Sequence, residues 1–266
     1  EYMLLANKYV SKFITKKQEE KVGEGKALCV YRVHDKPDAD RMHELDLYIR
    51  GLGYHVRFMD GLIASQELNT LLVKMGDRPE KPLLQMHITR AMAKAIYSTK
   101  NIGHYGLAFD YYSHFTSPIR RYPDVLTHRL LMRVLEADYP REEERGYFDK
   151  LCLQASRREK EASDAERGSI KYKQVEYMSY RVGQEFDGMI SGISEGGLYV
   201  EEKKSKSEGM IRLKDLGDDF YIYDEKKSRI FGENGGEQWR IGDRIKIKVK
   251  DTNMELRQID YELIKE

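Results

Sequence analysis

Cysteine, proline and tryptophan are scarce in this chain of 266 residues, at two, six and one. Two cysteines, Cys29 and Cys152, are too few for a disulfide framework or a cysteine-built metal cage, so a reducing cytoplasm is the expected compartment. No stretch approaches 18 uncharged apolar residues, so no spanning helix and no membrane partner are expected. Net charge is nearly absent: 46 Lys+Arg stand against 45 Asp+Glu, a formal +1. That balance gives no general field toward a polyanion. What is there is enough for a core. Forty per cent of residues are apolar and 11% aromatic, which excludes a disordered chain.

The chain has no initiator Met and no basic region before an apolar run, so no signal peptide is visible. Met3, Ala6, Val10 and Phe13 recur at helical spacing with no capping residue ahead of them. The expectation is a fragment that opens inside an amphipathic helix, its natural N-terminus lying upstream. Ala27 to Val33 reads as a strand. Helices are predicted over Pro37 to Leu52, Ser65 to Met75 and Pro82 to Tyr97, with Gly53 and Gly76 as stops for the first two. Gly103 to Phe109 reads as extended. A further helix should end near Leu135, and a long charged one should run from Tyr147 to about Tyr180.

The texture changes at Val182. Five short strands with Gly-rich turns suit a small closed barrel: one around Phe186 to Ile190, then Leu198 to Val200, Glu208 to Leu213, Arg244 to Val249 and Ile259 to Ile264. The stretch from Lys214 to Gly242 holds Phe220, Tyr221, Tyr223, Phe231 and Trp239, too many aromatics for a passive linker. A boundary near Tyr180 gives domains 1–180 and 181–266. From residue 182 onward there are 15 bases and 19 acids, and the earlier part holds the remaining 31 and 26. The small total therefore hides a basic first part and an acidic second one. In the first, Arg120, Arg121, Arg129 and Arg133 are concentrated in one stretch.

The densest unusual segment runs from His114 through Thr116-Ser117-Pro118-Ile119-Arg120-Arg121 to Asp124, then His128-Arg129. Thr116 and Ser117 are N-cap types, and Pro118 fits a first helical position; alternatively the helix starts at Pro123. Either way two arginines lie at or before a helix start, where free N–H groups and a partial positive charge favour phosphate. Guanidiniums add bidentate grip. Tyr111, Tyr112, Phe115 and Tyr122 interleave as candidate stacking rings. The bland reading stands beside this one: the arginines pair with carboxylates and the rings are core. Asp35, Asp38 and Asp40 read as structural acids at a helix start, and Asp218-Asp219 as solvated loop residues.

HYGLAFDYYSHFTSPIRRYPDVLTHR (His104 to Arg129) closely resembles a motif of the ribonuclease II/ribonuclease R family of processive 3′-to-5′ exoribonucleases. EYMLLAN (Glu1 to Asn7), VYRVHDKPD (Val30 to Asp38), AMAKAIYS (Ala91 to Ser98) and EASDAERGSIKYKQVEYM (Glu161 to Met178) are similar to further pieces of its RNB catalytic domain, in order. VGQEFDGMISGISEGGLYVE (Val182 to Glu201), EGMIRLKDL (Glu208 to Leu216) and RIGDRIKIKV (Arg240 to Val249) resemble its terminal S1 domain, an OB-type barrel. The aromatic insert before RIGDRIKIKV is more similar to the ribonuclease R branch.

The resemblance implies an α+β chain: the mostly helical C-terminal half of an RNB domain, then an all-β five-stranded S1 barrel. It implies hydrolysis of RNA with a free 3′ end to nucleoside 5′-monophosphates, using Mg²⁺ held by aspartates of the missing N-terminal half; no metal ligand is assigned here. It assigns Arg120 to the reacting phosphate. Arg121 is its neighbour on the backbone, Thr116 and Ser117 position phosphate, and His114 hydrogen-bonds within the loop. Glu1 matches an acid expected near the terminal ribose. In the barrel, Phe186 and Tyr199 are candidate stacking rings, and Arg212 and Lys214 candidate phosphate partners. Two positions depart from the usual S1 pattern: Gly196 replaces an aromatic and Arg212 a histidine. Lys246, Lys248 and Lys250 share a strand face, as a phosphate track or as a solvated edge. A monomer is expected, with the missing half-domain as partner and the fragment alone inactive. Two alternatives remain open: an RNA-binding module without catalysis, and a structural anion-binding helix domain with a barrel for protein contacts.

Overall fold

The computed structural model describes residues 1–59, 62–76, 78, 81–217, 219–224, 229–234 and 236–265. Asp218, read from sequence as a loop acid, lies outside them. The chain divides into two compact units, 1–77 with 84–162, and 78–83 with 163–266.

In the first unit, α1 (Tyr2–Val22) is the expected opening helix, but it turns a different face inward. It buries Asn7, Ser11, Ile14, Thr15 and Gln18, whereas Met3 and Phe13 are exposed together with Tyr2, Leu5 and Tyr9. Apolar periodicity misses such a face, because polar groups can be buried when each finds a partner. Gln18 donates through Nε2 to the Leu28 carbonyl and accepts the Leu28 N–H through Oε1, both at 2.9 Å. Thr15 Oγ1 lies 2.7 Å from the Tyr31 hydroxyl, and Ser113 Oγ donates to Ser11 Oγ at 3.0 Å.

This bonding also explains why the strand expected from Ala27 is short. Leu28 uses both backbone groups on Gln18, and only Tyr31–Val33 forms β1. Helix α2 (Ala39–Gly51) starts at Asp38, whose Oδ1 accepts the N–H groups of Asp40 and Arg41. The hairpin β2 (Phe58–Met59) and β3 (Leu62–Ile63) follows, then α3 (Ser65–Met75) and α4 (Lys81–Ala91). Met42, Leu45, Ile49, Ile63, Leu68, Leu71 and Leu84 form one core of this unit. The helix predicted to Tyr97 stops at Ala91. Ile96–Ser98 becomes β4, pairing antiparallel with β1 so that Arg32 faces Tyr97, because the short β1 needs a ladder partner. Helix α5 (Tyr122–Leu135) and the first part of α6 (Arg145–Ser179) close this unit over Leu28, Val30, Tyr97, Leu126, Leu130 and Cys152.

Beneath the segment of interest lies a cluster of polar rings. Gly103 to Phe109, expected extended, instead holds a 3-10 turn at Tyr105–Leu107. The Gly106 N–H donates to His34 Nδ1 at 3.0 Å, and a Cβ at Gly106 would sit 2.8 Å from that nitrogen, so glycine is required here. His34 Nε2 in turn donates to the Ala93 carbonyl at 2.7 Å. His34, His104, Tyr112, His114 and Tyr97 follow one another edge to face, with ring centroids 5.0–5.8 Å apart. Burial, reinforced by the neighbouring His34, lowers His104 to about 4. Burial first, and then Arg121 and Arg32, lower His114 to about 3.

In the second unit, β5 (Glu185–Ser194), β6 (Gly197–Glu202), β7 (Glu208–Arg212), β11 (Arg244–Asn253) and β12 (Gln258–Ile264) close a barrel in the order 5-6-7-12-11. All its pairings are antiparallel except the parallel contact of β12 with β7. Ile190, Leu198, Val200, Ile211, Ile247, Val249, Ile259 and Tyr261 fill it, with Val175 and Met178 from the end of α6. The aromatic stretch between β7 and β11 folds as a three-stranded sheet of β8 (Tyr221–Asp224), β9 (Arg229–Gly232) and β10 (Gln238–Arg240). Trp239 packs on Tyr221 at 5.0 Å and joins the barrel core.

Two outcomes follow. Gln18→Met keeps the volume but leaves both Leu28 backbone groups buried without partners, so unfolding in urea should show a loss of about 1–3 kcal/mol per orphaned group. The two histidines take up protons in the unfolded chain near pH 6.5 but resist them when folded. Stability should therefore fall as pH drops from about 6.5 toward 4. Melting curves at pH 7, 6 and 5 should show that fall, and His114→Asn, compared with its own value at pH 7, should show a smaller one.

Candidate functional site

The TSPIRR segment is a turn, not the start of a helix. Helix α5 begins at Tyr122 with Arg121 as its N-cap and Pro123 in its first turn, so the second of the two helix starts considered above is the one formed. Thr116 and Ser117 cap nothing. The N–H groups of Arg120 and Arg121 both point to the Ser117 carbonyl, at 3.3 and 3.2 Å, which closes a turn over Pro118, Ile119 and Arg120.

Each flank of this turn is tied to a different element. From α1, Asn7 Oδ1 accepts the N–H groups of Phe115 and Thr116 at 3.0 and 3.2 Å, while its Nδ2 donates to the Tyr112 hydroxyl at 3.3 Å. From α5, His128 Nε2 donates to the Phe115 carbonyl at 2.9 Å, and its ring stacks on Phe115 at 4.0 Å. From β4, the Tyr97 hydroxyl lies 2.8 Å from His114 Nδ1, so His114 bonds outside its loop. Arg32 lies over Tyr97 at 4.6 Å and pairs with Glu159.

The carboxylate of Asp124 completes the frame. It is 0% exposed and sits in the first turn of α5, where a helix favours an acid. It accepts the Ser117 N–H at 2.7 Å and a bidentate pair from Arg121 Nε and Nη2, both at 2.9 Å. Two expectations are corrected by this. The anion position at the helix start is filled by the chain's own carboxylate, and Arg121 is committed to it. Arg133 is likewise held by Glu144 and Asp138. Tyr112 is 6% exposed and belongs to the ring cluster, so it offers no face for stacking; Phe115 is covered by His128. What the turn presents is Ile119, 102% exposed, and Arg120. Arg120 and Arg129 are exposed and have no ion pair or side-chain hydrogen bond among the described residues. Glu1 is exposed ahead of α1, and its carbonyl accepts the Leu5 N–H.

In the barrel, Tyr199 on β6 is 38% exposed and pairs across the ladder with Met210 on β7. The aromatic absent at Gly196 has a replacement: a Cβ there would meet Met210 Cε at 2.7 Å, so the Met210 methyl covers the spot. Lys171, Tyr199, Met210, Arg212 and Arg257 line a groove of about 500 Å³. Arg212 is paired with Asp260 at 2.9 Å, so it is not the open phosphate partner expected. Lys214 is exposed with no described partner. Phe186 shares inward parity with Gly188 and Ile190 and packs on the core, so it is not a stacking ring. Of the three lysines on β11, Lys250 pairs with Asp215. Sequence reasoning missed Asn7, Asp124, His128, Lys171 and Arg257. Only Asp124 carried a local signal, an acid in a first turn three residues after a pair of arginines.

Among the described residues, no three of His, Cys, Asp and Glu gather as a cation site would require. The described side chains here do not fit a magnesium cluster.

The RNB domain family matches residues 1–137 and the S1 RNA binding domain residues 179–263. Ribonuclease R of Aquifex aeolicus is 38% identical over 239 residues, 89% of this chain and 34% of that protein. Ribonuclease R of Vibrio cholerae is 34% identical over 276 residues, 99% of this chain and 32% of that protein. A solved structure of Mycoplasma genitalium RNase R in complex with ribose methylated single-stranded RNA has a TM-score of 0.84 at 25% identity, covering 99% of this chain and 40% of that one. The chain thus spans about a third of the length of the curated relatives it matches. With the RNB match covering more than half of its residues, the chain belongs to the RNB family and carries an S1 domain after the RNB part.

Proposed function

We propose that this chain supplies the phosphate-contacting arginine and part of the RNA track of a processive 3′-to-5′ exoribonuclease. The reaction is hydrolysis of the terminal phosphodiester of RNA to nucleoside 5′-monophosphates. The observation that carries this reading is Arg120: an exposed guanidinium without a partner among the described residues, on a turn anchored from three elements, while Arg121 beside it is neutralised by Asp124. A fixed guanidinium stabilises charge that develops on a phosphate in the transition state and does not lose its own proton. Arg129, two turns into α5, adds a second exposed cation.

The RNB part extends to residue 180 and the S1 part over 181–266, which the S1 match from residue 179 supports. The barrel guides the strand through Tyr199 as a stacking ring, with Lys214, Lys171 and Arg257 toward phosphates. Thr116, Ser117 and His114 hold the turn, and Glu1 meets the terminal ribose. Mg²⁺ belongs to aspartates outside this chain, in the remainder of the RNB domain. The exposed apolar residues of α1 suit a protein neighbour better than water. The substrate is single-stranded RNA with a free 3′ end, the working state a monomer, and the compartment the cytoplasm.

In the longer protein, Arg120→Ala should lower kcat by on the order of 10²–10³-fold, as for loss of one transition-state donor, while RNA affinity falls far less. Filter binding beside single-turnover cleavage separates the two. Equal losses would reduce Arg120 to a binding contact. This chain alone, given labelled poly(A) and Mg²⁺, should retain RNA and release no mononucleotide; release would place the whole catalytic set inside it. Retention without turnover by the longer protein would favour an RNA-binding module.

A further inference from the structure

Resting on that reading of Arg120, we infer that Asn7 and Asp124 are positioning residues which aim Arg120 at the reacting phosphate. The turn that carries Arg120 has little packing of its own. Ile119 is fully exposed, and Pro118 and Arg120 are exposed beside it. Burial of apolar surface is non-directional, and here it is absent. Directional bonds must set the orientation; beside the His128 bond to the Phe115 carbonyl and the Tyr97 bond to His114, they come from two buried polar side chains.

Asn7 is 4% exposed and lies 108 residues before Phe115. Its Oδ1 takes two consecutive backbone donors, Phe115 and Thr116, which fixes the path of the chain into the turn. The donation from Nδ2 to Tyr112 fixes the amide itself. Asp124 fixes the other flank. Its carboxylate takes the Ser117 N–H on the way in and the Arg121 fork on the way out, so both ends of the turn meet at one fully buried group. A buried carboxylate with one partner removed is left uncompensated, so the three bonds hold together as a set. Neither side chain needs to touch substrate. Their effect passes through the backbone of residues 115–121, and the group left free by that frame is Arg120.

The test uses the full-length protein with Asp124→Asn, Asn7→Ala and Asn7→Asp, each alone and combined with Arg120→Ala. Cleavage kinetics, RNA affinity and thermal melting are measured for each. A displacement of about 1 Å is enough to cost on the order of 10²-fold in rate. Asp124→Asn and Asn7→Ala should therefore lower kcat by about that factor, with KM and RNA affinity nearly unchanged. Asn7→Asp keeps the acceptor for both N–H groups and lets the Tyr112 hydroxyl donate, so it should recover much of the rate lost in Asn7→Ala. In the Arg120→Ala background the same changes should remove little further rate, because the group they aim is gone. A full rate loss in Arg120→Ala with an undiminished further loss from Asp124→Asn or Asn7→Ala would overturn the positioning role and leave Arg120 in place. An unchanged kcat in Arg120→Ala itself would overturn the reading of Arg120, and the positioning role with it. If Asp124→Asn melts below the assay temperature, the Asn7 pair decides the matter by the same comparison.

Discussion

A single buried carboxylate at the start of α5 sets the geometry of the first unit's functional surface. Asp124 lies where the helix dipole favours an acid, yet it is removed from solvent, and that combination is tolerable only with charge-assisted partners. Those partners are the backbone of Ser117 and the side chain of Arg121, the two ends of one turn. The need to compensate one charge therefore shapes the loop. It also sorts two adjacent arginines, alike in sequence, into different roles. Arg121 is inside the frame, and Arg120 is outside it.

The same sorting runs through the molecule. A count of basic residues places 31 in the first part and 15 in the second, but the count does not say which are available. Arg133 and Arg145 are held by glutamates, Arg32 by Glu159, Arg212 by Asp260 and Lys250 by Asp215. Arg120 and Arg129 in the first unit and Lys214 and Arg257 in the second are exposed and lack such a carboxylate partner among the described residues. A near-neutral chain can present positive charge at chosen points this way, without a field that would attract any polyanion.

Much of this was legible beforehand, and the rest was hidden for identifiable reasons. The barrel strands could be read because alternating apolar residues at Ile190, Leu198, Val200, Ile247 and Val249 face one core. The stops at Gly53 and Gly76 could be read because both glycines take positive φ, at 80° and 56°. The inward face of α1 could not, because Asn7, Ser11, Thr15 and Gln18 are buried for their hydrogen bonds, and hydropathy ranks such residues as surface. The end of α4 was overrun because Ile96 and Tyr97 continue its apolar spacing while β1 claims them as a ladder. At the site, motif similarity singled out Arg120, but the frame behind it joins Asn7 to Phe115 across 108 residues, a distance no local pattern spans. Tyr112 and Phe186 were misplaced for the converse reason: an aromatic beside arginines or on a strand looks the same whether it faces RNA or a core.

The fully exposed tip of the turn has a consequence for how the entropy of contact is divided. The backbone of residues 115–121 loses its freedom when the chain folds, since buried donors and acceptors fix both flanks. The Arg120 side chain does not, because it is exposed and makes no ion pair or side-chain hydrogen bond among the described residues. A phosphate arriving there would need to order only the rotors of one arginine, about 2 kcal/mol. The roughly 1–2 kcal/mol per residue needed to fix a flexible loop would already have been met by the fold.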